Sequence, residues 1–217
     1  MDDVLERATE LQRIVPGAVL VGGSAAAYRA RHRRSFDHDH VIEDLAGRFD
    51  TILENLEALG DWSMVRAQPG KIILGELGGI ETGLRQLIRR RALETEQVEV
   101  RGKSLTVPTE AETLRIKAWL AVTRNQTRDY LDVAALAEHM GIDEAAEVLA
   151  GIDGYYADVN RREEAVGSQL LRQLADPRPR DSAVTTQLSA YKGLDVRWHD
   201  WGDVRGVLRE LAKRMAS

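Results

Sequence analysis

Val21-Gly22-Gly23-Ser24, followed by Arg34-Ser35-Phe36-Asp37-His38-Asp39, is the stretch on which the reading of this 217-residue chain turns. The run Ala18–Val21 is apolar and has the length of a short buried strand. Ala25–Arg31 reads as a helix with Ser24 near its N-cap. Gly22-Gly23-Ser24 breaks the chain between the two. Such a turn frees backbone N–H groups, and the helix dipole adds to them, so a phosphate fits there. Phe36–Ile42 reads as a second strand. On a strand Asp37 and Asp39 share one face, while His38 and His40 take the other. Two adjacent carboxylates repel each other unless a cation lies between them. Oxygen ligands at this spacing suit Mg²⁺, which takes one or two carboxylates together with substrate phosphates. A phosphate cradle beside such a pair is equipment for phosphoryl or nucleotidyl transfer.

Outward from this stretch the chain falls into two textures. Val4, Leu5, Ala8, Leu11 and Ile14 recur at helical spacing, and Pro16-Gly17 ends that helix. Leu45–Leu59 reads as a helix closed by Gly60. Trp62–Arg66, Lys71–Leu74, Leu84–Ile88, Gln97–Val100 and Leu105–Val107 are short and β-leaning. After Pro108 a capping box, Thr109-x-x-Glu112, opens a helix. Thr127–Met140, Asp143–Leu149, Asn160–Leu174 and Asp203–Met215 also read as helices, with Pro177-Arg178-Pro179-Arg180 extended between the last two. The chain is therefore expected to be α+β, with a mixed N-terminal domain over 1–108 and a helical domain over 109–217.

Composition narrows the function. Lys and Arg number 30 against 35 Asp and Glu, a net charge of −5, which excludes a uniformly basic nucleic-acid binder. Cysteine is absent, so disulfides, thiolate catalysis and cysteine zinc sites are excluded. No run approaches the roughly 18 apolar residues of a membrane span. Met1-Asp2-Asp3 is acidic where a signal peptide is basic. These features point to a cytoplasmic protein with no membrane partner.

Gly23-Ser24 and Asp37-x-Asp39 together resemble the first motif of the nucleotidyltransferase superfamily with the DNA polymerase β-like fold, a Gly-Ser followed about a dozen residues later by Asp-x-Asp. A second segment sharpens the likeness. Lys117-Ala118-Trp119-Leu120, Arg124 and Arg128-Asp129-Tyr130-Leu131-Asp132-Val133 look like the second motif of the AbiEii/AbiGii-type toxins. Gly22-Gly23-Ser24-Ala25 and Arg34-Ser35-Phe36-Asp37-His38-Asp39 fit the first motif of that group, to which the mycobacterial minimal nucleotidyltransferase toxins belong. The two motifs span Gly22 to Asp132, about half of the chain.

The resemblance implies a polymerase β-like domain with a mixed sheet, followed by helices that carry the second motif. It implies an enzyme that moves nucleotides from an NTP to the 3′ end of tRNA, blocks translation and is held by a cognate antitoxin. Residue by residue, Asp37 and Asp39 would hold Mg²⁺, with Ser35 beside metal and triphosphate. Gly22, Gly23, Ser24 and Lys117 would hold phosphates, and Arg128 and Asp129 would support them. Asp132 would be the essential acid of the second motif. Asp129 and Asp132 share a helical face. One could hold Lys117 or an arginine in position, and the other could serve as base for the attacking hydroxyl.

Two departures qualify the likeness. His40 stands where the family has an apolar residue. The strand that could supply a third metal acid is expected to present Gln86 instead, with Glu81 and Glu76 near it. Two arginine clusters, Arg29, Arg31, Arg33 and Arg34, and Arg85, Arg89, Arg90 and Arg91, are expected RNA-backbone contacts. The alternatives are a small-molecule or protein hydroxyl as acceptor, or a member that binds nucleotide or RNA without turnover.

Overall fold

The computed structural model describes residues 1–191 and 193–217. The chain divides into two compact units, Met1–Ala25 with Ser35–Thr109, and Ala26–Arg34 with Glu110–Ser217. Among the described residues no helix is long and apolar enough to cross a membrane.

In the first unit the periodic apolar residues of α1 (Asp2–Ile14) bury Val4, Leu5, Ala8 and Leu11. β1 (Val19–Val21) runs straight into α2 (Gly22–Ala30). The glycines therefore open the helix as its first residues and form no separate turn. β2 (Asp37–Ile42), α3 (Leu45–Glu57), β3 (Trp62–Gln68), β4 (Ile72–Leu77) and β5 (Ile80–Gln86) follow. They build a sheet of order β1-β2-β5-β4-β3, in which β2 and β5 are parallel and the other pairs antiparallel. This is a mixed sheet, as the α+β reading requires. Leu11, Val15, Ile42, Leu45, Phe49, Ile52, Leu56, Ile73, Leu77 and Leu84 close the core against it. β6 (Thr95–Val100) and β7 (Lys103–Pro108) form a separate hairpin. Arg101 and Gly102 turn it with φ of 49° and 75°, the left-handed pair that a two-residue hairpin loop demands.

The second unit is helical: α4 (Glu110–Arg124), α5 (Thr127–Met140), α6 (Ile142–Ala150), α7 (Asp153–Tyr156), α8 (Val166–Ala175) and α9 (Trp201–Met215). Tyr130, Leu131, Leu149, Leu170, Leu208 and Leu211 are among the side chains of its core, and Trp119 stacks on Tyr156 at 4.9 Å. α8 begins at Val166, six residues later than the periodicity over Asn160–Leu174 predicts. The charged run Arg161–Glu164 has no apolar side chain to bury. Asn160 and Gln169 instead bond the Glu164 carbonyl at 2.9 and 2.6 Å, and Asp153 caps the helix by accepting from the Val166 N–H at 2.7 Å.

Candidate active site

In the first unit β2 sets the chemistry by its alternation. Asp37, Asp39 and Val41 are partly exposed, and His38, His40 and Ile42 are buried. The Asp39 carboxylate lies in a cradle of two glycines. Gly22 has φ of +73°, and a Cβ added to it would lie 3.0 Å from Asp39 Oδ2. A Cβ on Gly83 would overlap Asp39 Oδ1. Asp37 is held from its own side, since the buried Ser35 hydroxyl donates to Asp37 Oδ1 at 2.8 Å. Ser24, expected at the helix cap or on a phosphate, is buried and donates its hydroxyl to the Asp37 carbonyl, which ties the start of α2 to β2. The first N–H groups of α2 belong to Gly22, Gly23 and Ser24, and the first four N–H groups of a helix lack intrahelical partners.

The two carboxylates fit a divalent cation. Each is only partly buried, and two glycines make room for the Asp39 carboxylate. Among the described residues no group of three or more His, Asp or Glu side chains is gathered for a metal. A cation would therefore rest on Asp37, Asp39 and substrate oxygens, which suits Mg²⁺. Gly83→Ala is expected to displace the Asp39 carboxylate and to weaken divalent-cation binding by about tenfold or more with the fold retained. A Mn²⁺ titration beside a circular-dichroism spectrum checks it, and unchanged Mn²⁺ affinity contradicts it.

The parallel register corrects the search for a third acid. Asp37 pairs with Glu81, Asp39 with Gly83 and Val41 with Arg85. Gln86 lies on the opposite face, where it braces the chain after β2 through Ala46 N at 3.1 Å and the Glu43 carbonyl at 2.6 Å. The face shared with the acid pair carries Glu81 opposite Asp37 and Arg85 beyond Gly83, and the Arg85 Nε is 3.7 Å from Asp39 Oδ1.

Behind the acids lie two neutral histidines. Burial pushes His38 down to about 4, against the pull of Asp37 and with help from Arg7. Burial, with His38 adding to it, pushes His40 well below the usual imidazole range. The unfolded chain takes up these protons near pH 6.5, so stability present above that pH is lost as the pH falls toward 4, by roughly 3 kcal/mol for His38 alone. Urea midpoints at pH 7 and pH 5 measure the slope. His38→Gln is expected to flatten it, and an equal slope contradicts the assignment.

In the second unit Asp132, at the centre of α5, is fully buried and fully committed. Its Oδ1 contacts His32 Nε2 at 2.7 Å and accepts from Arg33 Nε at 2.8 Å. Its Oδ2 accepts from the second arm of Arg33 at 3.1 Å and pairs with Lys117 Nζ at 2.7 Å. Burial pushes this carboxyl up, but Arg33, Lys117 and the His32 bond outweigh it and hold the group well below the usual carboxylate range. Lys117, Arg33 and His32 are themselves buried. Asp129 is the reverse case. It is 1% exposed, and neither carboxylate oxygen has a hydrogen-bond partner. Burial raises it, Lys117 opposing and Asp132 adding. The N-terminus of α5 leaves it uncommitted, because Asp181 takes both the Thr127 N–H and the Thr127 hydroxyl, at 2.8 and 2.9 Å. Asp129→Asn is expected to raise stability at pH 7 by about 1 kcal/mol or more, because a buried unpaired charge is removed. Thermal unfolding tests this, and a loss of stability contradicts it.

Arg128 is exposed on the same helix. His32, which with His38 and His40 invites a zinc reading in the sequence, lies instead on Asp132. Arg33 is indistinguishable there from its arginine neighbours, yet it is buried on Asp132. Arg89 is buried as well and donates to the carbonyls of Arg91 and Ala92 at 2.9 and 3.1 Å. Both arginines are thereby withdrawn from the expected RNA contacts.

No protein-family model matches the chain. A stretch of 112 residues, 49% of the chain, is 42% identical to the heme uptake protein MmpL11 of Mycobacterium tuberculosis H37Rv and covers 11% of it. A stretch of 94 residues, 43% of the chain, is 44% identical to the mycolic acid-containing lipids exporter MmpL11 of Mycolicibacterium smegmatis and covers 10% of it. The chain thus spans about a tenth of the length of these curated relatives. In structure, the chain is similar to the nucleotidyltransferase toxin MenT4 of M. tuberculosis H37Rv, with TM-score 0.57, 15% identity and coverage of 100% of this chain and 82% of that one. It is also similar to ANT(2″)-Ia in complex with adenylyl-2″-tobramycin, with TM-score 0.51, 11% identity and coverage of 70% and 97%. The fold is that of the nucleotidyltransferases.

Proposed function

We propose that this chain is a nucleotidyltransferase toxin that acts in the cytoplasm, moves nucleotides from an NTP to the 3′ end of tRNA and so blocks translation. The carrying observation is the placement of Asp37 and Asp39 on one face of β2, with Asp39 in a cradle of two glycines, one of which opens α2. The acceptor hydroxyl forms a bond to the α-phosphorus, the bond to the pyrophosphate oxygen breaks, and the hydroxyl loses its proton. Asp37 and Asp39 would hold Mg²⁺, which when bound offsets the charge of the triphosphate and of the leaving pyrophosphate. Ser35 keeps the Asp37 carboxylate turned to its task. The N–H groups of Gly22 and Gly23 favour phosphate oxygens through the helix N-terminus.

The two acids of the second motif divide the roles that their shared helical face leaves open. Asp132 has both oxygens committed, so it is the positioning residue for Lys117 and Arg33. Asp129 keeps its lone pairs and a raised proton affinity, which suits a general base. An ammonium has three N–H donors, so Lys117 can meet a phosphate oxygen while it stays on Asp132. Arg128 adds positive charge at the surface of α5. A cognate antitoxin that restrains this activity belongs to the same proposal.

One observation favours a second reading. With Arg33 and Arg89 buried, the basic footprint for an RNA backbone is smaller than the sequence promises, which leaves room for a small-molecule acceptor. Incubation with total tRNA, Mg²⁺ and each α-labelled NTP tests the choice. A labelled tRNA band that vanishes with Asp37→Ala supports the tRNA reading. Transfer only to small molecules overturns it in favour of the second.

A further inference from the structure

The face that Asp39 presents continues across the sheet into β5, and its charge changes sign there. β5 runs parallel to β2 with Asp39 opposite Gly83 and Val41 opposite Arg85. Gly83 gives its space to the Asp39 carboxylate, so the next side chain on this face is the Arg85 guanidinium. Its Nε stands 3.7 Å from Asp39 Oδ1, with the two side chains 45% and 34% exposed. That separation exceeds a hydrogen bond, and an ion pair this exposed contributes about 0 to 1 kcal/mol. The arginine is thus near enough to neutralise Asp39 and too weakly held to keep it. A divalent cation on the same carboxylate repels the guanidinium. A guanidinium set loose beside phosphates has a better partner in them, because its planar fork matches phosphate oxygens in pairs.

We propose that Arg85 is an internal counter-ion of the site: it covers Asp39 while no divalent cation is bound, gives the carboxylate up to the cation, and turns to the phosphate oxygens of the nucleotide. The proposal rests on the reading of Asp37 and Asp39 as cation ligands. It makes cation and nucleotide binding cooperative through one side chain. The cation alone must displace Arg85, and the nucleotide then gives Arg85 a new partner. Linkage makes the coupling reciprocal, so each ligand tightens the other by the same factor.

Mn²⁺ titrations followed by electron paramagnetic resonance test this, with and without non-hydrolysable analogues of the four NTPs, on wild type, Arg85→Gln, Arg85→Lys and Asp39→Asn. Arg85 is exposed, so its variants keep the fold, and a circular-dichroism spectrum verifies that. In Arg85→Gln, Mn²⁺ alone is expected to bind about two- to fivefold more tightly, and the tightening by nucleotide is expected to shrink by a similar factor. Arg85→Lys keeps part of the coupling. Mn²⁺ affinity that is unchanged or weaker in Arg85→Gln overturns the proposal, as does undiminished coupling. Mn²⁺ binding that survives Asp39→Asn overturns the reading of the acid pair itself, and Asp39→Asn separates the two failures.

Discussion

Asp132→Ala is expected to destabilise the helical unit by about 3 to 5 kcal/mol, the usual cost when one partner of a buried ion cluster is removed. The mutation deletes an anion that Arg33, Lys117 and His32 contact in common, at distances from 2.7 to 3.1 Å. All three lie within a tenth of full burial, so water replaces the lost bonds poorly. Leu131 and Val133 beside it belong to the core of the unit, so the damage spreads into the packing of α5. Chemical denaturation at pH 7 measures the effect, and a loss under 1 kcal/mol contradicts the cluster. Acid probes the same group, because its proton affinity is depressed on folding. Its contribution is therefore whole above the ordinary carboxylate range and disappears as the pH falls through and below that range. Any loss of activity in this variant must be read beside its stability, since the residue positions cations and leaves no oxygen for a substrate.

Asp37→Ala is the opposite kind of variant. It is expected to lower nucleotide transfer by about a thousandfold or more, the scale on which preorganised electrostatic groups act in transfer reactions. The fold is expected to survive. Asp37 is only partly buried, and its removal takes one of two mutually repelling carboxylates from the strand. Ser35 loses its acceptor, a change worth about 1 kcal/mol. Thermal unfolding and a transfer assay on the same preparation check both halves. Full activity would remove Asp37 from the chemistry, and gross unfolding would make it a structural residue.

Much of the fold was legible because its signals are local. The apolar run before Gly22, the period-two placement of Asp37 and Asp39, and the 3.6-residue spacing in α4, α5 and α9 each require only neighbouring residues. What escaped depends on partners distant in sequence. Gln86 looked like the place of a missing acid, yet only the parallel register of β2 and β5 shows that it faces away and that Gly83 and Arg85 face Asp39. Arg33 sat in a run of arginines suited to RNA, and its burial on Asp132 depends on a residue 99 positions away. Ser24 belonged to a phosphate motif by type, but its hydroxyl is spent on the Asp37 carbonyl. The histidines of β2 were placed on the far face by alternation, while their neutrality follows from depth of burial. The start of α8 was missed because Asp153, in a short helix that periodicity does not reveal, caps it from outside the segment.

The proposed reaction is nucleotidyl transfer carried by the acid pair of β2. Whole-cell extract, with its RNA, proteins and small molecules, supplies every candidate acceptor at once. Parallel incubations with α-labelled and γ-labelled NTPs, using wild type and Asp37→Ala, test the claim most directly. Label is expected in an acceptor from the α-phosphate only, with pyrophosphate as the other product and no label with Asp37→Ala. Label arriving from the γ-phosphate, or α-label that persists undiminished with Asp37→Ala, would contradict it.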